Sequence, residues 1–296
     1  MSQQQKQTHR FFRRGAAAWQ KKSVGAAKSY NIVKGRNNAV LATLDSLRKP
    51  KALLDVGCGT GQLVVAVAQR GLRAIGVDFA QEMITACKAN ARAAGVAPAF
   101  ICASFFDLPV TDKTYDVISA QGFIEYISPA QMEEFFARSY RMLRPGGSLV
   151  VGSRNRLYNV VSLNEFTLME MKLGVLEWLT REAVDLQGSG SAVKAIAALR
   201  RNERKYPQPK RHPATGVRVK LRHQYTPADL IFRLRKHGFR PRGLFPVHFH
   251  GLPPAYKDAH PEIHAELAAL IGVLAPTDPR LLPYCSTFVL DARRGK

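Results

Sequence analysis

The sequence predicts an α/β fold built on a mostly parallel sheet, and two neighbouring segments carry the prediction. Leu53 to Val56 form an apolar strand that runs into a glycine-rich turn, Gly57-Cys58-Gly59-Thr60-Gly61. A second apolar strand follows and ends in a carboxylate at Asp78. Glycine lets the backbone turn sharply and approach a ligand closely, and a carboxylate at that position can accept hydrogen bonds from a ribose diol. The pair of segments therefore predicts a site for an adenosine-containing cofactor.

The spacing of the glycines distinguishes two classes of such sites. A dinucleotide fold uses G-x-G-x-x-G, whereas this chain has G-x-G-x-G with Asp55 two residues before the first glycine. A negative charge at Asp55 disfavours a pyrophosphate, because like charges repel. It suits a cofactor with a cationic amine or sulfonium. We interpret Cys58, inside the turn, as a small residue that fits there and not as a nucleophile.

Further motifs follow in a fixed order. They are Leu54 to Gly61; Gly76-Val77-Asp78-Phe79 with Glu82-Met83-Ile84; Asp107-Leu108-Pro109; Tyr115-Asp116-Val117-Ile118; and Met142-Leu143-Arg144-Pro145-Gly146-Gly147. In this order they resemble the class I S-adenosylmethionine-dependent methyltransferases, in particular the small-molecule group that includes the ubiquinone-pathway enzymes. The resemblance covers about a third of the chain, Leu53 to Arg154. It implies a Rossmann-like methyltransferase fold, with a central seven-stranded, mostly parallel sheet and helices on both faces.

The resemblance also implies S-adenosylmethionine as cofactor and a set of contacts to it. Asp78 would hold the ribose hydroxyls, while Phe79 and Met83 would lie against the adenosine. Ser104, followed by Phe105, stands where the family usually has an aspartate near the adenine amino group. A hydroxyl can accept from that amine as well. The remaining implied contacts are Asp55, Gly57, Cys58, Gly59 and Gly61 near the methionine part, and Gln121 and Gly122 beside the sulfonium through their backbone carbonyl groups.

Charge is distributed unevenly along the chain. Residues 1–51 carry 12 basic residues (Lys or Arg) and one acidic residue, and residues 153–244 carry 19 basic and seven acidic residues. Residues 52–152, which contain the motifs, carry eight basic and nine acidic residues. The excess positive charge therefore flanks the cofactor-binding core. Basic flanks favour an anionic small-molecule acceptor, a peripheral membrane contact or, with less support, a nucleic acid.

Composition limits the class of protein. No run of 18 apolar residues predicts a membrane span, and residues 1–14 lack the apolar core of a secretory signal. The four cysteines lack the spacing of a metal site, which favours free thiols in a reducing compartment. We expect a cytoplasmic protein, in one alternative peripheral to the inner face of a membrane, with no bound metal.

We divide the chain into four parts. Residues 1–48 are predicted to form a basic helical lid, in which Tyr30 and Arg36 contact the methionine carboxylate or the substrate; an ordinary packing helix is the alternative. Residues 49–152 form the S-adenosylmethionine-binding Rossmann-like core. Residues 153–222 form a helical and basic cap insertion, with a flexible break at 188–191 and a basic loop at 200–213 that either caps the acceptor pocket or is solvated.

Residues 223–296 are predicted to complete the methyltransferase core. Thr226 is expected to cap a helix that has Pro227 in its first turn and Gly238 after its end. Strands are expected at 240–249 and 286–292, with a helical insertion at 260–274 between them.

Methyl transfer from a sulfonium is an in-line displacement, so an oxygen acceptor with a high pKa needs a general base. His223, His248 and His250 are the predicted catalytic candidates, because they flank the insertions and histidine titrates near neutral pH. His248 and His250 would point the same way on a strand, but no third residue has metal-ligand spacing. Glu125 is an alternative base.

Three functions follow from these observations. The first is methyl transfer to an oxygen of a small molecule, such as a sugar, a glycan-lipid or a polyketide-like intermediate. The second is an RNA methyltransferase or a basic RNA-binding protein, although aromatic residues do not alternate with the basic ones. The third is a membrane-associated lipid or quinone methyltransferase.

Overall fold

A computed structural model describes residues 3–24, 31–202, 204–209, 213 and 222–295. Within these residues, seven strands form one sheet in the order β3-β2-β1-β4-β5-β7-β6. Strands β1 to β5 are parallel, and β7 runs antiparallel to both β5 and β6. The strands are β1 Ala52–Val56, β2 Arg73–Asp78, β3 Ala99–Cys102, β4 Tyr115–Gln121, β5 Leu143–Arg154, β6 Phe239–Phe249 and β7 Cys285–Arg294. This confirms the predicted seven-stranded, mostly parallel sheet.

Helices connect the strands and cover both faces of the sheet. They are α1 Gln3–Val24, α2 Ile32–Asp45, α3 Gln62–Gln69, α4 Gln81–Ala93, α5 Pro129–Met142, α6 Tyr158–Val161, α7 Glu165–Lys172, α8 Leu176–Gln187, α9 Ala192–Leu199, α10 Pro227–Lys236, α11 Pro254–Ala259 and α12 Pro261–Leu274. Short 3-10 helices are at Phe105–Asp107, Ile124–Tyr126, Arg200–Asn202 and Pro279–Tyr284.

Alternate residues of each central strand pack into two different cores. Leu53 belongs to the core beneath α2 and α3, which includes Val40 and Val64. Leu54, the next residue, belongs to the core beneath α5 and α10, which includes Phe135. Successive side chains of a strand point to opposite faces, so an apolar run such as Ala52–Val56 is needed where both faces are covered. The five residues of β1 are all buried.

The C-terminal elements lie close to their predicted positions. The Thr226 hydroxyl accepts a hydrogen bond from the backbone N–H of Asp229, and Pro227 is the first residue of α10. Gly238 follows the helix with φ +82°, a conformation that favours glycine. The last two strands begin one residue earlier than predicted, and the insertion contains a second helix, α11, ahead of α12.

The described parts of the two flanking segments contain helices, α1 and α2 in the first and α6 to α9 in the second. The break at 188–191 separates α8 from α9, and Ser191 caps α9 by accepting from the backbone N–H of Lys194. The basic loop is packed at Tyr206, which is 1% exposed and donates to Glu182 at 2.9 Å. None of the helices that the structure describes is long and apolar enough to cross a membrane.

Candidate active site

A cavity of about 700 Å³ lies at the carboxyl ends of the parallel strands. Its lining includes Gly57 after β1, Asp78 at the end of β2, Gln121 at the end of β4 and Arg154 at the end of β5. Ligands of open α/β sheets bind at this edge, because the loops that follow the strands converge there. Part of the lining comes from the lid α1 and from the segments after β5 and β6, so the cavity is closed by the flanking regions.

The glycine turn forms one end of the cavity. Gly57, Gly59 and Gly61 all have positive φ, at +69°, +55° and +81°. Gly57 and Gly59 line the cavity, whereas Gly61 does not. A Cβ atom on Gly61 would lie 2.9 Å from the Sγ of Cys87, so the third glycine is needed to pack the turn against α4. Cys58 is buried against the same Cys87, and the hydrogen bond between the two thiols, together with burial, raises the pKa of the Cys58 thiol, which fits a packing role.

Asp78 presents its carboxylate to the cavity beside this turn. One oxygen accepts from the backbone N–H of Gly59 at 3.1 Å, and the other accepts from the backbone N–H of Ala80 at 2.9 Å. Burial raises the pKa of Asp78 to about 6. Each carboxylate oxygen can accept more than one hydrogen bond, so Asp78 can still accept from a diol.

Asp55 lies away from the cavity surface. It is 5% exposed in β1, between Gly76 of β2 and Ser119 of β4. Burial raises its pKa to about 7, and a hydrogen bond from Ser119 opposes that shift. Asp55 is not among the residues that line the cavity, so the structure does not group it with the other predicted cofactor contacts, and its contact to a cationic cofactor stays a prediction.

The predicted adenosine contacts lie together on the cavity wall. Phe79, Met83, Ser104 and Phe105 all line it. The Ser104 hydroxyl accepts from the backbone N–H of Phe106 at 3.3 Å and caps the 3-10 helix Phe105–Asp107. It therefore has a structural role that the family resemblance did not imply. Phe105 is 2% exposed, so most of its ring is packed in the core next to the cavity wall.

Gln121 and Gly122 lie where β4 ends. The Gln121 side chain folds back into the sheet and donates to the backbone carbonyl of Val150 at 3.0 Å, which leaves its main chain toward the cavity. Gly122 has φ +80°, and a Cβ atom there would lie 2.5 Å from Nη1 of Arg36. Glycine at 122 therefore lets the Arg36 guanidinium lie against the chain.

Arg36 is one of two arginines bound to a single buried carboxylate. Glu125 is 2% exposed and accepts from Nη2 of Arg36 at 3.0 Å and from Nε of Arg154 at 3.2 Å. It also accepts from the backbone N–H of Arg154 at 2.9 Å. Because both oxygens of Glu125 accept hydrogen bonds from Arg36 or Arg154, its geometry is that of a structural anchor for these two arginines. Tyr30, the other predicted contact of the lid, lies outside the described residues.

Helix α1 lies over the glycine turn. The Trp19 indole is close enough that a Cβ atom on Gly59 would lie 3.0 Å from its Nε1. The ring of His9 lies 5.2 Å from that of Phe79, and Arg13 forms an ion pair with Glu82 of α4 at 2.8 Å. These contacts place α1 as a cover on this end of the cavity. The sequence pattern indicated a helix here but not that Trp19 would touch the turn.

Histidines form the other end of the cavity. His248 and His250 line it, with ring centroids 4.5 Å apart. His248 has φ +59°, which is uncommon for a residue other than glycine. Its Nδ1 lies 2.5 Å from Oγ of Ser286. His250 stacks on Tyr158 at 4.4 Å.

The third predicted histidine is not part of this group. His223 does not line the cavity, and its backbone N–H donates to the carbonyl of Glu125 at 2.7 Å. A different histidine joins instead, because the ring of His264 from α12 lies 5.1 Å from that of His250. Burial, followed by Lys257 and His264, lowers the pKa of His250 to about 3, so this ring is neutral at physiological pH. Across the residues that the structure describes, no group of His, Cys, Asp and Glu has the arrangement of a metal site.

Comparison with known proteins identifies the fold and the core. A family model described as a methyltransferase domain matches residues 53–147, which span β1 to the start of β5. Residues 53–147 therefore form a class I S-adenosylmethionine-dependent methyltransferase domain. The methyltransferase domain contains the glycine turn, Asp78 and Gln121.

Relatives match the methyltransferase domain and its surroundings. The chain is 29% identical to a ubiquinone biosynthesis O-methyltransferase of Rhizobium etli over 147 residues, which is 50% of this chain and 55% of the relative. It is 35% identical to a demethylmenaquinone methyltransferase of Thermus thermophilus over 119 residues, 39% of this chain and 52% of the relative. The chain thus spans about half the length of the curated relatives it matches.

Solved structures share the fold over most of the chain. Magnesium protoporphyrin IX methyltransferase of Synechocystis PCC 6803 has a TM-score of 0.57 at 12% identity and covers 99% of this chain and 100% of its own. The 1,6-didemethyltoxoflavin-N1-methyltransferase of Burkholderia thailandensis has a TM-score of 0.55 at 15% identity. The match covers 98% of this chain and 88% of that structure. These similarities establish the fold beyond the methyltransferase domain, including the antiparallel strand pair at the C-terminus.

Proposed function

We propose that the chain is an S-adenosylmethionine-dependent methyltransferase that methylates an oxygen atom of a small-molecule acceptor. One observation carries the proposal: the cavity has a glycine turn and Asp78 at one end and His248 at the other. A cofactor-binding edge and a candidate proton acceptor therefore share one enclosed space.

The residues present fit the cofactor. Gly57 and Gly59 offer a backbone surface without side chains, and the Asp78 carboxylate can accept from the ribose hydroxyls. Phe79 and Met83 offer apolar surface for the adenine, and Arg36 offers a guanidinium for the methionine carboxylate. When bound, S-adenosylmethionine supplies an electrophilic methyl carbon on a sulfonium. A cavity of about 700 Å³ is within the range of roughly 300–1,000 Å³ that small-molecule sites occupy.

We assign the general base to His248. If Nδ1–H donates to Oγ of Ser286, then Nε2 is the basic nitrogen and can take the proton of an acceptor hydroxyl. Ser286 then acts as a positioning residue, because it holds the tautomer and orientation of the ring. His250 is neutral and lies next to His248, so it can hydrogen-bond the acceptor without repelling a protonated His248.

Oxygen is favoured as acceptor atom by the name of the Rhizobium etli relative and by the candidate base His248. The Rhizobium etli relative is a ubiquinone biosynthesis O-methyltransferase. Aromatic side chains at Tyr158 and Phe166 line the cavity and suit a flat acceptor. A quinone-type phenol is thus the first acceptor to test, with sugar and polyketide-like molecules as the others. The basic residues Arg36 and Arg154 line a cavity of small-molecule size. Because this part of the positive charge lies inside the cavity, it supports a small acceptor over RNA.

Cofactor binding is tested by titrating S-adenosylhomocysteine into the protein in a calorimeter. We expect stoichiometric binding by the parent and about 10- to 100-fold weaker binding by Asp78→Ala, because a charge-assisted pair of hydrogen bonds is lost. Asp112→Asn is the matched control, since Asp112 is an exposed carboxylate outside the cavity. Equal affinity of Asp78→Ala and the parent would refute the cofactor site.

The base is tested once an acceptor has been found by screening phenols, sugars and polyketide-like molecules with methyl-labelled S-adenosylmethionine. His248→Gln is expected to lower kcat by about 10²- to 10⁴-fold, the usual contribution of a general base, with unchanged affinity for S-adenosylhomocysteine. Ser286→Ala is expected to lower kcat less and to shift the acidic limb of the pH profile. A normal kcat in His248→Gln would refute the assignment.

A further inference from the structure

We infer that the acceptor carries a carboxylate or phosphate group, which Arg154 and Arg222 bind in the wall of the cavity. The inference rests on the proposed methyltransferase function and specifies the class of acceptor. Arg154 ends β5, and Arg222 precedes α10 with 6% of its surface exposed. Both line the cavity.

The wall around these arginines holds more positive than negative charge. Arg36, Arg154 and Arg222 all interact with Glu125, two of them by direct hydrogen bonds and Arg222 through its electrostatic attraction. The carboxylates among the described lining residues are Glu125 and Asp78, and Asp78 lies at the glycine turn. Among the described lining residues, three guanidinium groups and one carboxylate therefore lie at this place, and Arg222 also hydrogen-bonds with the Tyr126 side chain.

Guanidinium groups gathered in the wall of a cavity attract an anionic ligand. Burial lowers the pKa of Arg222, and the nearby Arg154 lowers it further, which reflects two cations held close together. A guanidinium presents a planar fork of N–H donors that matches the oxygens of a carboxylate or phosphate. An oxyanion is thus the ligand that this wall fits best.

Strand register indicates that this oxyanion belongs to the acceptor. Arg154 of β5 pairs with Thr287 of β7, and Thr287 pairs with Val247 of β6, the neighbour of His248. Two strand spacings separate Arg154 from Val247, which is about 10 Å. One substituted ring can span that distance with its anionic group at the arginines and its hydroxyl at His248. Arg36, which lies against Gly122 near the glycine turn, remains for the methionine carboxylate.

The test compares charged and neutral ligands of matched shape. We would titrate the complex of the full chain with S-adenosylhomocysteine using 4-hydroxybenzoate against 4-hydroxybenzamide, and phenyl phosphate against phenol. In the parent, at least one anion is expected to bind about tenfold or more tightly than its neutral partner, the value of a charge-assisted hydrogen bond. The arm that shows the preference identifies carboxylate or phosphate as the group recognised.

Variants assign the preference to the two arginines. Arg222→Met and Arg154→Met remove the charge but keep an apolar stem, and each is expected to reduce the preference to about threefold or less. Arg222→Lys keeps the positive charge without the planar fork, so it should retain a preference between those of the parent and Arg222→Met, which excludes a loss through misfolding. Arg141→Met is the control for net charge, because Arg141 pairs with the exposed Asp112 outside the cavity.

Several results would overturn the inference. One is the absence of any anion preference in the parent, and another is a preference that persists in both methionine variants. A third is a tenfold loss of S-adenosylhomocysteine affinity in those variants, which would assign the arginines to the cofactor carboxylate. Failure of the parent to bind S-adenosylhomocysteine at all would instead refute the proposed function, so the two failures are separable.

Discussion

A buried ion pair holds the cap to the sheet, and its removal should destabilise the protein strongly. Arg156 follows β5 and is 1% exposed, while Glu170 of α7 is fully buried. Nη2 of Arg156 donates to Glu170 at 2.6 Å, and Nε donates to both carboxylate oxygens at 2.9 and 3.1 Å. Asn159, which lines the cavity, donates to the same carboxylate at 2.7 Å. The pair therefore fixes the segment that carries Tyr158 and Asn159.

The expected magnitude follows from burial. Glu170→Ala leaves the Arg156 guanidinium buried without its carboxylate, a change that typically costs about 3–5 kcal/mol in the free energy of unfolding. In domains of 150–250 residues, each kcal/mol lowers Tm by roughly 2–4 °C, so the loss should be about 6–20 °C. Because this chain is longer, we expect the lower half of that range. A double variant, Arg156→Met with Glu170→Met, should recover much of the loss, since apolar residues of similar size can replace a buried pair.

Thermal unfolding followed by circular dichroism measures this prediction. The control is Glu177→Ala, which breaks the ion pair between Arg181 and Glu177 on α8. This pair has the same N–O distance, 2.6 Å, but its two side chains are about two-thirds exposed. Exposed pairs of this kind contribute roughly 0.3–0.5 kcal/mol, so Tm should change by less than about 2 °C. A Tm of Glu170→Ala equal to that of Glu177→Ala would refute the reasoning that burial makes this pair important.

Three further predictions concern Asp55, Asp78 and Thr226. The pKa of Asp55 is about 7, so the folded protein keeps a proton that the unfolded chain releases near pH 4, and stability falls as pH rises from about 4 to 7. Asp55→Asn should therefore have a higher free energy of unfolding than the parent at pH 8, and a smaller advantage at pH 5. Equal differences at the two pH values, measured by urea unfolding, would contradict this. The pKa of Asp78 is about 6, so the affinity of the parent for S-adenosylhomocysteine should fall as pH drops below 6, because protonation removes a hydrogen-bond acceptor. The affinity of Asp78→Asn should not change in this way. Calorimetric titrations of both proteins at pH 5 and pH 7.5 test the difference. Thr226→Ala should cost about 1 kcal/mol of stability through loss of the α10 cap, measured by thermal unfolding, with cofactor affinity as the readout that should stay constant.

Local sequence predicted those features that depend on neighbouring residues. The turn from β1 needs glycine at positive φ, and a carboxylate ends β2, so Gly57, Gly59 and Asp78 lie together on the cavity as the motif predicts. The α10 cap is equally local, because Thr226 bonds a residue three positions away. Strand periodicity and turn residues act over a few positions, which is why these elements were predictable.

Burial changed the interpretation of several residues within the same motifs. Asp55 was predicted to face a cationic cofactor, but it is buried in β1 next to Ser119 of β4 and is not among the residues that line the cavity. His223 was a catalytic candidate, yet it is not among the residues that line the cavity, and its backbone N–H donates to the carbonyl of Glu125. Which side of a strand or loop faces a cavity depends on the elements packed around it, and a single sequence does not contain that information in a local pattern.

The sequence by itself determined the fold class, the cofactor-binding turn and the unequal distribution of charge. Only the tertiary structure decided which charges meet: Arg36, Arg154 and Arg222 are far apart in the chain and share Glu125. The same holds for His264, which joins His248 and His250 from a different helix. Composition shows how many basic residues the flanks carry, but the electrostatic energy of a charge depends on its burial and on distances of a few ångströms to its neighbours. Those distances are set by how the cap and lid pack on the sheet.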